Sequence, residues 1–369
     1  MKILYLTDQT YLHGGIEKVL SQKANYLSDF CGDEVTIVTY KQQKMDSVYP
    51  INSKIRRIDL GINYVIATSY FAPVNLKKIP QHIKKIKETI AVLKPDVIIS
   101  CSFGPDFYFL PFITDIPVIK EFHSSRYFSS KEHLTGMKFL LQKLTEYIET
   151  KYAALVVLNA DEVSFYHSAH ISVIPNPTEL SAQSTPLDKK QILAAGRISP
   201  VKNFGDLIDA FKGLSDRFPN WQLHFWGEDY VGTRAVLQKK IDSLGLQNQL
   251  RFMGTCPDLK QEMPNYSICV MTSETECFPM VLLESLSAGL PVVSYDSPTG
   301  PRHIVKDAED GFIVPYKNLD IFTKKLEKLM SDDNLRQEMG SKGTINMQRF
   351  DIDKIMSQWH ALFRKVKDR

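Results

Sequence analysis

The chain has 369 residues, 43% of them hydrophobic and 24% charged, which is enough for two separately cored domains and too apolar for a disordered chain. Its 45 basic and 42 acidic residues leave a net charge of only +3, so no electrostatic footprint for nucleic acid is present and none is expected as a partner. The five cysteines, at 31, 101, 256, 269 and 277, are odd in number and form no Cys-x-x-Cys pair. That argues against a disulfide framework or a structural zinc and fits a reducing cytoplasm.

The apolar start at 1–6 is interrupted by Thr7 and Asp8 before it reaches signal-peptide length, and no stretch is long enough to span a bilayer. Short apolar runs then alternate with longer amphipathic segments, the pattern of parallel strands joined by helical crossovers. The runs fall at 2–6, 34–40, 54–60, 96–102, 117–123, 154–160 and 172–175, and again at 191–196, 221–227, 250–254, 266–273, 291–295 and 311–315. The expectation is an α/β protein of two Rossmann-like, doubly wound domains, residues 1–175 and 176–350, with a ligand cleft between them. Ile174-Pro175-Asn176-Pro177 and the polar run 178–190 read as the linker. In residues 351–369, Ile352, Ile355, Met356, Trp359, Leu362 and Phe363 share one helix face, and Asp351 and Asp353 are expected to cap that helix rather than bind a metal.

Candidate chemistry is spread along the chain. Gly14-Gly15 follow the first strand and open a helix, where a glycine pair allows close approach of a phosphate or simply makes a turn; the spacing is not Gly-x-Gly-x-x-Gly, so a nicotinamide dinucleotide is not expected. Lysines 77, 78, 84, 85 and 87 interleave with Ile79, Ile83, Ile86, Ile90 and Leu93, as in a core-packed helix with a solvated basic face; contact with anionic lipid is the alternative, to which the aromatic loop 64–71 adds weight. His123 ends the run 117–123, where an imidazole either meets a sugar or acceptor hydroxyl or packs with its polar atoms satisfied. Arg197 follows Gly196 at the end of another strand, with Lys202 five residues on; two cations at a strand's carboxyl end face the crevice where open α/β sheets bind ligands, and could neutralise a diphosphate. Thr255 lies just past the run 250–254. In Ser273 to Ser285, Pro279 suits the first position of a helix over 280–286 that Gly289 and Pro291 end. Glu276 precedes that helix and Glu284 lies inside it, up to about 12 Å away at about 1.5 Å per residue.

The Glu-x7-Glu pair 276/284 and Gly-Arg-x4-Lys-Asn at 196–203 resemble the signatures of retaining glycosyltransferase family 4. The resemblance implies the GT-B architecture, two Rossmann-like domains with a C-terminal crossover helix packing back on the first. It implies metal-independent transfer, with retention, of a hexose or N-acetylhexosamine from a nucleoside diphosphate sugar, UDP-linked, to a glycan or lipid-linked acceptor. In that reading Arg197 and Lys202 stabilise the leaving diphosphate, Glu276 orients the sugar, Glu284 holds the ribose and His123 meets sugar or acceptor. Gly14, Gly15, Phe278, Pro279, Met280, Val281 and Thr255 bind substrate. No cofactor and no metal are expected, and the enzyme would work in the cytoplasm, with peripheral contact at the inner face of the membrane. The sequence departs from the family pattern at Cys277, where glycine is common, and at 226–230, a less glycine-rich loop. A hydrolysing nucleotide-sugar epimerase, a phosphorylase of the same shape, for which no cofactor lysine is identified, and a non-catalytic glycan-binding subunit are the alternatives.

Overall fold

The computed structural model describes residues 1–65, 68–131, 135–180, 184–256 and 258–369. Positions 181–183 of the expected linker and 66–67 of the aromatic loop lie outside the described residues. The chain forms two compact units, one of Met1–Pro177 with Asp353–Arg369 and the other of Thr178–Ile352.

The first unit is built on seven strands: β1 (Lys2–Thr7), β2 (Glu34–Thr39), β3 (Arg56–Asp59), β4 (Val97–Ser100), β5 (Val118–Glu121), β6 (Ala154–Val157) and β7 (Ile171–Val173). They pair in parallel in the order β3-β2-β1-β4-β5-β6-β7. The central strands are rich in Val, Ile and Leu, as in a parallel sheet covered on both faces, and β4 and β6 are buried throughout. The apolar runs overshoot at their carboxyl ends. The ladder stops where the backbone turns into a loop, so β5 ends at Glu121 and His123 lies two residues past its strand, not at its end.

The helix Ile79–Leu93 spends its apolar stripe on the core: Ile86, Ile90 and Leu93 are buried, Ile79 and Ile83 pack at the edge, and Lys84 and Lys87 stay exposed. The same helix buries His82 completely, with the Tyr64 hydroxyl 3.0 Å from its Nδ1 and the rings of Tyr40 and Phe109 about it. Burial holds its pKa down to about 3. The unfolded chain takes up that proton near pH 6.5 and the folded protein does not, so stability falls as pH drops below 6.5 toward about 3, by up to about 1.4 kcal/mol per pH unit. Urea titrations of a His82→Gln variant should show a shallower acid loss across this window; parallel curves for variant and wild type would remove His82 as its source.

The helix Ile352–Lys367 completes this unit, with Ile355, Met356, Trp359, Leu362, Phe363 and Val366 buried. His360 Nε2 lies 2.9 Å from Asp33, and Lys367 Nζ 2.8 Å from Asp96. Asp353, in the first turn of this helix, accepts a 2.6 Å hydrogen bond from the Tyr26 hydroxyl.

The second unit has six parallel strands: β8 (Gln191–Ala195), β9 (Gln222–Trp226), β10 (Leu250–Gly254), β11 (Ile268–Met271), β12 (Val292–Tyr295) and β13 (Gly311–Val314), in the order β10-β9-β8-β11-β12-β13. Each sheet therefore reverses direction beside its first strand, between β1 and β4 and between β8 and β11. At such a switch point the loops leaving adjacent strands diverge and open a crevice at the carboxyl ends. Among the described residues, no helix is long and apolar enough to cross a membrane, and all five cysteines are free.

Candidate active site

In the second unit the switch point is occupied by the cations and one of the glutamates. After β8 the chain runs through Gly196 to Arg197, held by Gly196 N–H to Trp226 carbonyl (2.9 Å) and Ile198 N–H to Glu228 carbonyl (2.8 Å). The loops after β8 and β9 are so close that a Cβ on Gly227, at φ +145, would meet the Gly196 carbonyl oxygen at 1.9 Å; only glycine fits. Arg197 is left exposed. Lys202 ends a short turn, Pro200–Lys202, which Asn203 terminates at φ 47, and its stem folds back over Gly196.

From β11 the chain passes Thr272, whose hydroxyl donates to the Asn203 carbonyl (2.9 Å), and Glu274, whose N–H donates to the Val201 carbonyl (2.7 Å). Glu276 is fixed from the other side, its N–H on the Pro298 carbonyl (3.1 Å) and its carbonyl accepting from Thr299 (2.7 Å) and Gly300 (3.0 Å). These two loops bring Lys202 Nζ to 2.5 Å from Glu276 Oε1, with side chains 21% and 12% exposed. Two residues with separate expected duties, 74 positions apart, thus form one ion pair.

Pro279 is the cap of the next helix, Met280–Ser287, not its first residue: at ψ 116 it is still extended, because the chain arrives from the loop and turns helical only at Met280. Met280 and Val281 are half-buried. Phe278, expected among the substrate contacts, is buried with its ring against Phe350 at 5.3 Å. Glu284 is 3% exposed on the same helix, and Cys277 is also buried. Thr255 is exposed just after β10; Pro257, at the end of that loop, lies outside the described residues. The loop 226–230 is organised by Asp229, whose carboxylate accepts from the backbone of Val231, Thr233 and Arg234.

In the first unit Gly14 caps the helix Gly15–Asp29 in extended conformation, and the carboxylate of Glu17 lies against it. After β5, His123 lines a cavity of about 300 Å³ with Phe103, Ser124, Ser125, Arg126 and Tyr166. Arg126 stacks on Tyr166 at 4.1 Å and pairs with Glu149 at 2.5 Å. His123 Nε2 is 3.4 Å from Glu121 Oε1, and Lys23 Nζ holds both Glu121 oxygens at 2.5 and 2.6 Å. Burial alone would raise the Glu121 carboxyl, but Lys23 and then His123 pull it well below the usual carboxylate range. Cys101, Glu121 and His123 bring ligand-type atoms within 4.8 Å of one another, though the lysine already occupies the carboxylate. Sequence reasoning missed Lys23 and Glu121; the available signal was the pair Lys120-Glu121 inside an otherwise apolar strand, charges that a sheet interior accepts only when partnered.

The two units, each a parallel sheet with helices that reverses strand order beside its first strand, have the architecture of the GT-B fold. Residues 176–345 match the family model described as glycosyl transferases group 1, and the chain is a glycosyltransferase. It is 24% identical over 98% of its length, and 99% of the relative's, to the amylovoran biosynthesis glycosyltransferase AmsD of Erwinia amylovora. It is 34% identical to an exopolysaccharide phosphotransferase of Streptomyces coelicolor, over 54% of this chain but only 21% of that longer protein. The crystal structure of Anabaena HepE in complex with UDP and glucose superposes with a TM-score of 0.77 at 19% identity, covering 99% of this chain and all of that one, a likeness of fold.

Proposed function

We propose that the enzyme transfers a hexose or N-acetylhexosamine from a UDP-sugar to a glycan or lipid-linked acceptor, with retention at the anomeric carbon and without a metal. The observation that carries this reading is the convergence of Arg197, Lys202 and Glu276 on the carboxyl ends of β8 and β11. A nucleoside diphosphate is the ligand that uses such a set. Its diphosphate takes the two cations, and the partial positive charge at the start of the helix Met280–Ser287 adds to them. When the diphosphate draws Lys202 away, Glu276 is released to accept hydroxyl hydrogen bonds from the sugar. Glu284 would bind the ribose, and His123 a hydroxyl of sugar or acceptor. As the glycosidic bond to the donor breaks, negative charge grows on the departing phosphate oxygens, and preorganised cations lower that barrier. The acceptor oxygen bonds to the anomeric carbon on the face that the diphosphate leaves and gives its proton to the departing phosphate oxygen, so the anomeric configuration is retained.

The choice of UDP draws on the UDP bound in the HepE structure, and the glycan acceptor on the exopolysaccharide phosphotransferase and the amylovoran biosynthesis glycosyltransferase that the chain is similar to. The place of work would be the cytoplasm, at the inner face of the membrane wherever the acceptor is lipid-linked. Incubation with UDP-, GDP- and ADP-sugars, with and without glycan acceptors, should release UDP in an acceptor-dependent way. Release only from another nucleotide would reject the base, and acceptor-independent release would favour a hydrolysing epimerase. Glu284→Ala should weaken UDP binding by calorimetry, and unchanged affinity would remove it from the ribose.

A further inference from the structure

The first unit contains a chain of buried contacts that the reaction as proposed leaves unused. Trp359, 1% exposed on the helix Ile352–Lys367, has Lys23 Nζ 4.1 Å from a ring centroid, and the Tyr5 ring lies 5.7 Å from the same ammonium. Lys23, also 1% exposed, comes from the helix Gly15–Asp29 and grips both oxygens of Glu121. Glu121 ends β5, and His123 follows it into the cavity wall. Stability gives no reason for two charges at this depth, since replacing a buried ion pair by packed apolar groups is often neutral or stabilising.

The carboxylate's hydrogen-bonding capacity is divided in a defined way. Oε2 takes Lys23 and, at 3.5 Å, the thiol of Cys101, which burial keeps protonated. Oε1 takes Lys23 and has its remaining lone pair 3.4 Å from His123 Nε2. Lys120, the neighbouring charge on β5, does not compete: its ammonium donates to the Ser100 and Ser102 carbonyls at 3.2 and 2.5 Å. Arg126 is engaged by Glu149. A neutral imidazole has one donor and one acceptor nitrogen, and the partner of one decides the role of the other.

We propose that Lys23 and Glu121, roofed by Trp359, are positioning residues for His123: the fixed carboxylate accepts from Nε2–H, which leaves Nδ1 as the acceptor for a substrate hydroxyl in the cavity. Lys23 supplies the charge that keeps Glu121 an acceptor, and the aromatic rings cover the ammonium so that water does not replace it. The C-terminal helix thereby bears on the chemistry through one residue. This rests on the reading of His123 as a substrate contact, and the test separates the two.

Nitrogen chemical shifts of ¹⁵N-histidine-labelled protein, with the His123 signals assigned by their loss in His123→Ala, report the tautomer directly. Wild type should show His123 as the Nε2–H form. The double variant Lys23→Met/Glu121→Leu, which removes both charges and strands neither, should lose that preference, with kcat falling on the order of tenfold, the rate equivalent of one hydrogen bond, and the KM for donor little changed. If that variant does not fold, Glu121→Gln supplies the test, since its amide offers a donor as readily as an acceptor. A tautomer that is mixed in wild type, or unchanged in the variants, overturns the positioning role. A tautomer that responds while His123→Ala transfers sugar at the wild-type rate leaves the device standing and removes His123 from the reaction.

Discussion

Arg197→Ala and Lys202→Ala should each lose on the order of 10²-fold or more in sugar transfer, the usual cost of removing one preorganised electrostatic contact to developing charge. The two losses should differ in kind. Arg197 is exposed, so its removal takes only an interaction with the bound diphosphate, and binding and turnover should fall together. Lys202 is paired with Glu276, so Lys202→Ala also frees a partly buried carboxylate where the proposed reaction places the diphosphate. Nucleotide affinity should therefore fall further in that variant, and Lys202→Ala/Glu276→Gln should regain part of the affinity but not the turnover. Transfer should persist in excess chelator, because the proposed mechanism gives these cations the work that a divalent ion does elsewhere. Abolition by chelator with rescue by magnesium or manganese would reject the metal-free mechanism, and near-normal turnover in both single variants would move the site elsewhere.

Trp359→Ala should destabilise the protein by about 3–5 kcal/mol, the range for truncating a fully buried aromatic side chain. The ring is 1% exposed, packs on Phe363 at 5.7 Å and covers Lys23, so the cavity left behind would border a buried ammonium. Gln358→Ala, one residue earlier on the exposed face of the same helix, should change stability by no more than about 0.5 kcal/mol and serves as the control. Equal urea midpoints for the two variants would show that this helix adds nothing to the core it joins.

The sequence by itself determined what depends on neighbours along the chain. Every expected strand is present, and the central ones are legible because a parallel sheet covered on both faces favours short apolar runs that can be read one residue at a time. The helix after Pro279, the basic helix with its apolar stripe at Ile86, Ile90 and Leu93, and the apolar face from Ile355 to Phe363 follow from local periodicity in the same way. Arg197, Lys202 and the glutamates were visible because they follow strand ends or flank a helix start.

Tertiary structure alone decided which of these groups meet. The pairing of Lys202 with Glu276 depends on β8 lying beside β11, a crossover that leaves no trace in spacing, and on two loops fixed by backbone hydrogen bonds. The Trp359, Lys23, Glu121 and His123 contacts join a C-terminal helix, the first helix and the fifth strand, up to 336 positions apart between Lys23 and Trp359. Phe278 and Asp353 likewise meet partners that their local sequence does not name, Phe350 and Tyr26. The physical reason is the same in each case: a side chain's type and local geometry are encoded beside it, whereas its partner is chosen by how the sheet is wound.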